Sequence, residues 1–506
     1  MNKKVIYALI VFVAIISCRQ KNISKAKKPN IIIIYVDDLG YGDLSCYGAT
    51  AVHTSHVDNL AREGLRFTNA YAAASTCTPS RYAMLTGRYA FRNDAAILPG
   101  DAPLIIENNR ETLASMLKKG GYATGVIGKW HLGLGDGSPD WNTDIKPGPL
   151  EIGFDYSFLL PATADRVPTV YVENHRVVNL NPKDPITVDY KRKVGDDRIG
   201  LEHPELLKMA ADSQHSGTIV NGISRIGYMA GGHQAYWKDE DFASVFGKKA
   251  KQFVREHRDE PFFLYYSLPH IHVPRVPNRK YVGTTKMGPR GDVIAEMDGM
   301  VGEILQTLKD LKLDKNTLVI FSSDNGPVMD DGYADKAVEL LGDHKPAGIF
   351  RGGKYSAFEG GLRMPMIVRW PDQIKPGTSD ALINQVDFFA SFAQLADVTI
   401  DQPKTAADSE NLLEALTGKS KQGRQVMLEE SFTMAIRDGD WKYIEPVSKK
   451  TPNWLANKKE ETGLQLTPQL YNLKDDPQEQ HNLVNQYPDK VEALAKKLKE
   501  IKQKDG

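Results

Sequence analysis

A chain of 506 residues is too long for one minimal core and suggests a large domain with a smaller companion. Sixty-four basic residues balance 64 acidic ones, so charge gives no reason to expect nucleic acid or an anionic surface as the main partner. Hydrophobic residues at 41% and charged residues at 25% exclude a fibrous or disordered chain and describe an ordinary globular one.

The first element is an export signal. Lys3 and Lys4 precede the apolar run Val5 to Ile16, which is too short to span a bilayer as a helix. The run ends Ile15-Ile16-Ser17-Cys18, which resembles a bacterial lipobox with Cys18 as the lipidated residue. The expectation is therefore an exported bacterial lipoprotein, periplasmic or at the cell surface, held to a membrane through Cys18. Residues 1–17 read as signal peptide and 18–28 as a basic tether. The chain has three cysteines: Cys18, Cys46 and Cys77. Cys46 reads as a small buried residue, and no disulfide framework is expected.

Asn30 to Val36 is a continuous β-branched and aromatic run, the pattern of a strand buried on both faces of a parallel sheet. Asp37 and Asp38 stand at its carboxyl end. Three more runs end in the same way. Thr124 to Ile127 leads into Gly128-Lys129-Trp130-His131, Phe262 to Ser267 into Pro269-His270-Ile271-His272, and Leu318 to Ser322 into Ser323-Asp324-Asn325-Gly326. Ligands of open α/β sheets bind outside the carboxyl ends of the strands, so these endings point to one shared site. Helices are predicted over 56–63, 111–119, 244–257, 386–396 and Asp292 to Leu311. In the last, Ile294, Met297, Val301, Ile304, Leu308 and Leu311 form one apolar stripe. The fold class expected is α/β, a large mostly parallel sheet sandwiched by helices, over residues 29–400. Beyond a polar linker, residues 401–506 read as a smaller α+β subdomain, with a hairpin around Asp438-Gly439 and a helix from Pro488 to Lys502.

Asp37, Asp38, Asp324 and Asn325 offer only oxygen ligands, the set that hard cations such as calcium or magnesium prefer. Between the two acidic pairs lies Cys77-Thr78-Pro79-Ser80-Arg81, followed by Thr86-Gly87-Arg88. That run resembles the signature of the type I sulfatases of the alkaline phosphatase superfamily. The order NIIIIYVDDLGYGD, CTPSR…TGR, GKWHLG, PHIHVP, SSDNG and GGKYSAFEGGLRMP extends the resemblance over nearly the whole chain after the tether.

The resemblance implies an alkaline phosphatase-like fold and a sulfuric ester hydrolase. It implies that a formylglycine-generating maturation enzyme oxidises Cys77 to an aldehyde, and that one calcium ion is held by Asp37, Asp38, Asp324, Asn325 and the modified Cys77. An aldehyde hydrate offers one hydroxyl to attack sulfur and a second to expel sulfate by re-forming the aldehyde. Arg81, Lys129 and His131 would hold the hydrate and assist proton transfer; His272 and Lys354 would face the ester. Arg88 and Glu359 read as scaffold. Asp165 and Arg166 are candidate sugar contacts, with His233, Trp237, His270 and His344; His215 and Asp343 lie in the same loops. The expected substrate is a sulfated oligosaccharide or polysaccharide, from algal galactans or ulvan or from glycosaminoglycans. One segment, PATADRVPTVYVENHRVVNL, resembles subfamilies near the N-acetylgalactosamine 6-sulfatases. The alternatives are a phosphonate or phosphodiester hydrolase of the same superfamily and an inactive surface glycan-binding protein.

Overall fold

A computed structural model describes residues 28–448 and 450–504. The expected signal peptide, Cys18 and all but the last residue of the tether lie outside the described residues. No helix among the described residues is long and apolar enough to cross a membrane.

An 11-stranded sheet organises the larger part of the molecule. Its principal strands are β1 (Asn30–Val36), β2 (Leu65–Tyr71), β3 (Ala123–Lys129), β4 (Tyr156–Leu160), β5 (Phe262–Leu268), β6 (Thr317–Ser323) and β7 (Arg363–Arg369). Across the sheet they run β2, β7, β6, β1, β5, β3, β4, and every neighbouring pair from β6 to β4 is parallel. β7 is antiparallel to both its neighbours. All seven residues of β1, β5 and β6 are buried, which is why their sequences are unbroken apolar runs rather than alternating ones.

Helices cover both faces. α1 (Ser55–Glu63), α4 (Phe242–Glu256) and α5 (Gly288–Asp310) pack together against one face, where Ile32, Ile34, Phe246, Met297 and Val301 share a core. α2 (Cys77–Thr86), α3 (Leu113–Lys119) and α6 (Phe388–Leu395) pack on the other, around Ile33, Tyr35, Met84, Leu117 and Phe392. The predicted stripe of α5 faces inward from Ile294 to Leu308. α3 starts later than predicted because Thr112 caps it, its hydroxyl accepting from the Ser115 N–H at 3.1 Å.

The smaller part is a four-stranded antiparallel sheet, β8 (Val426–Glu430), β9 (Met434–Asp438), β10 (Trp441–Ile444) and β11 (Gln469–Asn472). The amphipathic α7 (Pro488–Gln503) lays Leu494 and Leu498 on it. The hairpin predicted at Asp438-Gly439 joins β9 to β10. This sheet also grips the chain just before Cys77. The Ser75 N–H donates to the Glu430 carbonyl at 2.8 Å, and Ala73 and Ala83 belong to the same apolar cluster as Leu428 and Ile436. Cys46 departs from expectation: it is only half buried, and both it and Cys77 are free thiols.

Candidate active site

Four parallel strands end side by side and supply most of the site. Asp37 and Asp38 follow β1, Asp324 and Asn325 follow β6, Lys129 closes β3, and His270 and His272 follow β5. Strand ends are held together through their backbones. The Asp37 N–H donates to the His270 carbonyl at 2.7 Å, and the Asp324 N–H to the Val36 carbonyl at 3.1 Å. Gly128 is required for this approach. Its φ is +114°, and a Cβ there would lie 1.8 Å from the Ser267 carbonyl oxygen.

Cys77 opens α2, and Arg81 follows one turn later on the same buried helix. Arg81 donates from Nη2 to Asp324 Oδ2 at 2.7 Å, and from Nη1 to Tyr265 and Ser267 on β5. Lys129 Nζ donates to Asp37 Oδ2 at 2.6 Å, and Lys354 Nζ to Asp38 Oδ2 at 2.9 Å. Lys354 sits in a glycine turn whose backbone is pinned by its own N–H donating to the Pro327 carbonyl at 2.8 Å. All of these charges are buried. Three carboxylates, Asp37, Asp38 and Asp324, thus face three cations, Arg81, Lys129 and Lys354.

The balance is incomplete at the oxygen atoms. Asp37 Oδ1 and Asn325 Oδ1 are buried without any hydrogen-bond partner, although Asn325 donates its amide to Asp38 Oδ1 at 2.7 Å. Buried oxygens are seldom left unpaired. Burial pushes the Asp37 carboxyl well above its ordinary range, against the pull of Lys129. An all-oxygen set with two orphaned acceptors fits a hard divalent cation. Asp37, Asp38 and His272 can also bring one ligand atom each within 4.8 Å of one another.

Two histidines have their tautomers fixed by carbonyls. His131 Nε2 lies 2.9 Å from the Leu98 carbonyl, which only accepts, so Nε2 carries the proton. Nδ1 is then bare and faces Cys77 Sγ at 3.2 Å. Burial, then Lys129, hold this imidazole neutral, well below its ordinary pKa. His272 Nδ1 donates to the Val273 carbonyl at 2.7 Å, leaving a bare Nε2 4.0 Å from Asp38 Oδ2. Burial and Lys354 lower its pKa to about 4. The Cys77 thiol is itself pushed up by burial, partly offset by Lys129 and Lys354.

A cavity of about 280 Å³ opens over Cys77, His272 and Lys354. Asp165, Arg166 and His215 line it. Arg166 donates to both Asp165 oxygens at 2.8 and 3.0 Å; His215 bridges Asp165 (3.4 Å) and Asp212 (2.7 Å). These carboxylates raise the His215 pKa against its burial. The other four predicted sugar contacts do not line this cavity. Trp237 is buried in the core against Tyr171 and Phe242, because the loop carrying it folds back under Arg225. His233 is exposed and held between Asp184 and Asp197 at 2.9 and 2.8 Å. His344 is buried on Asp43, which Arg290 also grips, so it braces the loop after β1. His270 is buried, with Nε2 3.9 Å from Glu296. Glu359 is scaffold, paired with Lys442 at 3.0 Å.

Tyr190, Gln214, Asp331, Tyr355, Trp454 and Lys458 also line the cavity and were not foreseen. Asp331 had a readable signal. It is the second of an Asp330-Asp331 pair that follows Ser323-Asp324-Asn325-Gly326, and it bridges Lys458 (2.7 Å) and Lys354 (3.7 Å). Trp454 and Lys458 come from the C-terminal part, and nothing local in their sequence ties them to a strand end.

Comparison with known proteins agrees with this geometry. Residues 29–398 match the sulfatase family, and residues 352–504 match the C-terminal region of N-sulphoglucosamine sulphohydrolase. The chain belongs to the sulfatase family and is a sulfuric ester hydrolase. It is 50% identical over 493 residues to an N-acetylgalactosamine-6-O-sulfatase of Bacteroides thetaiotaomicron, covering 96% of each chain. Human arylsulfatase A is 30% identical, over 94% of this chain and 87% of that one. A solved 6S-sulfatase from work on glycosaminoglycan metabolism by B. thetaiotaomicron superposes with a TM-score of 0.92 at 51% identity. That match covers 94% of this chain and all of the other.

Proposed function

We propose that this sulfatase removes 6-O-sulfate from an N-acetylgalactosamine-type sugar on glycosaminoglycan-derived or related sulfated glycans. The observation that carries the reading is the cavity over Cys77, lined by Lys354 and His272 and by Asp165, Arg166 and His215. Its size, at the low end of small-molecule sites, suits one sugar ring with its sulfate. The likeness over 96% of both chains to an N-acetylgalactosamine-6-O-sulfatase supports the sugar and the position.

In this reading Cys77 is oxidised to formylglycine by a maturation enzyme, and Asp37, Asp38, Asp324 and Asn325 hold a calcium ion together with residue 77. The ion supplies charge neutralisation and polarises the oxygen of the modified side chain. Arg81, locked between Asp324 and β5, fixes the helix that presents residue 77. Lys129 donates to Asp37 and opposes the burial that raises its proton affinity. The bare Nδ1 of His131 accepts a proton from a hydroxyl at position 77, because Leu98 has already taken its other face. Lys354 neutralises sulfuryl oxygens. His272 is neutral in the empty pocket. An anionic ester beside it raises its proton affinity, which makes it the donor to the departing oxygen. Arg166 and Asp165, each fixed by the other, offer their remaining edges to sugar hydroxyls. Export and lipidation at Cys18 complete the reading and rest on residues 3–18 alone.

The test is sulfate release from a panel of 2-, 3-, 4- and 6-sulfated galactose, GalNAc and GlcNAc, using protein co-expressed with a maturation enzyme. Release from GalNAc-6-sulfate, absent in Cys77→Ala, is expected. An aldehyde confirmed at residue 77 by mass spectrometry with no release from any 6-sulfated sugar would overturn it.

A further inference from the structure

The cavity over Cys77 does not end at its rim. A second, more open cavity of about 1010 Å³ lies beside it, and Gln214, Trp454 and Lys458 line both. These three residues form the partition between them. Three stretches of chain build the second cavity: 210–214, 329–339 and 453–459. The last belongs to the C-terminal part, which thereby reaches the substrate side of the molecule.

The partition has the character of a sugar platform. Trp454 is half exposed, and its indole is braced edge-on by Tyr355 at 5.2 Å and by Phe432 at 6.1 Å. A rigid aromatic face offers a large contact area at low entropic cost. Beside it the Gln214 side chain forms no hydrogen bond with any described residue while lining both cavities, so a donor and an acceptor stand free at the junction. Five of the seven charged residues along the second cavity are held in ion pairs, and the other two, Lys336 and Glu339, are of opposite sign. Asp212 is bound by His215, Asp335 by Arg275 and Asp331 by Lys458, each at 2.7 Å, and Lys459 lies 3.8 Å from Asp330. Such a groove has hydroxyl-binding groups and an aromatic face but no concentrated cationic field.

We infer that the groove beyond Trp454 binds the sugars that follow the sulfated one, so that the ligand is an oligosaccharide chain read through hydroxyls and ring faces rather than through further sulfates. The inference rests on the glycan-sulfatase reading above. It assigns Trp454 and Gln214 as the hinge between the first sugar and the rest, and gives the C-terminal part a binding task.

The decisive experiment is calorimetric binding to the Cys77→Ala protein, which needs no turnover. The probes are GalNAc-6-sulfate and a tetrasaccharide carrying it at the non-reducing end. The tetrasaccharide is expected to bind at least about tenfold more tightly. Ala334→Trp fills the groove from an exposed position and does not touch the cavity over Cys77. It should abolish the tenfold gain and leave the monosaccharide Kd within about twofold. Val338→Trp, on the exposed rim of the same groove, repeats the test should the first variant misfold. Equal Kd values for the two probes, or a gain that survives both tryptophans, would overturn the inference. Equal sulfate release from both probes by matured enzyme would overturn it while leaving the proposed function standing. Tight tetrasaccharide binding without any sulfate release would uphold the groove and sink the reaction assigned to the site.

Discussion

Two clusters of buried charge, one at the strand ends and one at the seam between the two sheets, solve the same electrostatic problem by different means. At the strand ends, Asp37, Asp38 and Asp324 meet Arg81, Lys129 and Lys354. At the seam between the two sheets, Glu359, Glu429 and Glu479 converge on Lys442 at 3.0, 2.8 and 3.1 Å, all fully buried. Arg363 adds a contact to Glu359 at 3.2 Å. Carboxylates outnumber the lysine at the seam, and burial with mutual repulsion pushes Glu479 up to about 8 and raises Glu429. A carboxyl whose proton affinity is raised in this way can meet its neighbours by keeping a proton. At the strand ends the oxygens of Asp37 and Asn325 stay orphaned beside three fixed cations. A divalent cation can ligate a carboxylate oxygen and an amide oxygen together, which matches this pair of acceptors. The seam is a structural joint that tolerates protonation; the strand ends are, in the proposed reading, a socket for the cation.

The comparison breaks most visibly in activity. Cys77→Ala is expected to lower turnover by roughly 10⁴-fold or more while the circular dichroism melt stays close to that of the parent. Comparable turnover with alanine at 77 would remove the nucleophile from the strand-end cluster. Lys442→Met should do the reverse. Removing the one cation shared by three buried carboxylates should cost about 3–5 kcal/mol of stability, measured by denaturant unfolding. Turnover per folded molecule should change little. A melt unchanged by that substitution would mean that the seam is not a joint. Calcium should act on the socket alone. At a hundredfold excess over its Kd it adds about 2.7 kcal/mol, seen as a rise in Tm reversed by a chelator. Asp37→Ala should erase the rise and Lys442→Met should keep it.

The strand-end cluster was largely legible in the sequence because parallel strands buried on both faces have no choice of pattern. β1, β3, β5 and β6 announce themselves as apolar runs, and each polar ending is one strand spacing from the next. Lys129, His131 and His272 stand at those endings, whereas Cys77, Arg81 and Lys354 join the cluster only through the resemblance of their motifs to the sulfatases. Strands with a polar rhythm could not. β2 and β7 are antiparallel and carry arginines, and β7 includes a proline between methionines. The lining of the cavity was less legible: two of the six candidate sugar contacts reach it. Asp165 and Arg166 line the cavity, but His233 and Trp237 belong to a loop whose path is set by Arg225 and Asp239, paired at 2.8 Å in its interior. A tryptophan amid glycines reads the same whether it faces a ligand or a core. Trp454 and Lys458 were invisible for a different reason: long-range packing, not local pattern, brings the C-terminal part over the site.

The smallest effect discriminates most finely between proton and cation as neutraliser. Glu479 has a folded pKa near 8 because burial outweighs the pull of Lys442. Its unfolded value is near 4.3. Between those two values the folded state holds a proton that the unfolded state has released, so stability falls as pH rises. The contribution is fully present below the unfolded pKa and lost through the folded one. Glu479→Gln mimics the protonated form, and its amide oxygen can still accept from the Glu359 N–H, which now donates to Glu479 Oε2 at 2.6 Å. The variant should therefore match the parent near pH 5 and exceed it near pH 8, with a flatter profile of Tm against pH. Glu359 runs the other way, since Lys442 and the neighbouring arginines hold it below its ordinary range. It loses stability only on acidification and leaves the alkaline limb to Glu479 and Glu429. A parent whose Tm does not fall from pH 5 to 8, or a variant with the parent's slope, would show that these carboxyls are ionised at neutral pH. The seam would then hold ionised carboxylates against fixed cations as the strand ends do, and the distinction between joint and socket would have to rest on the orphaned Asp37 and Asn325 oxygens alone.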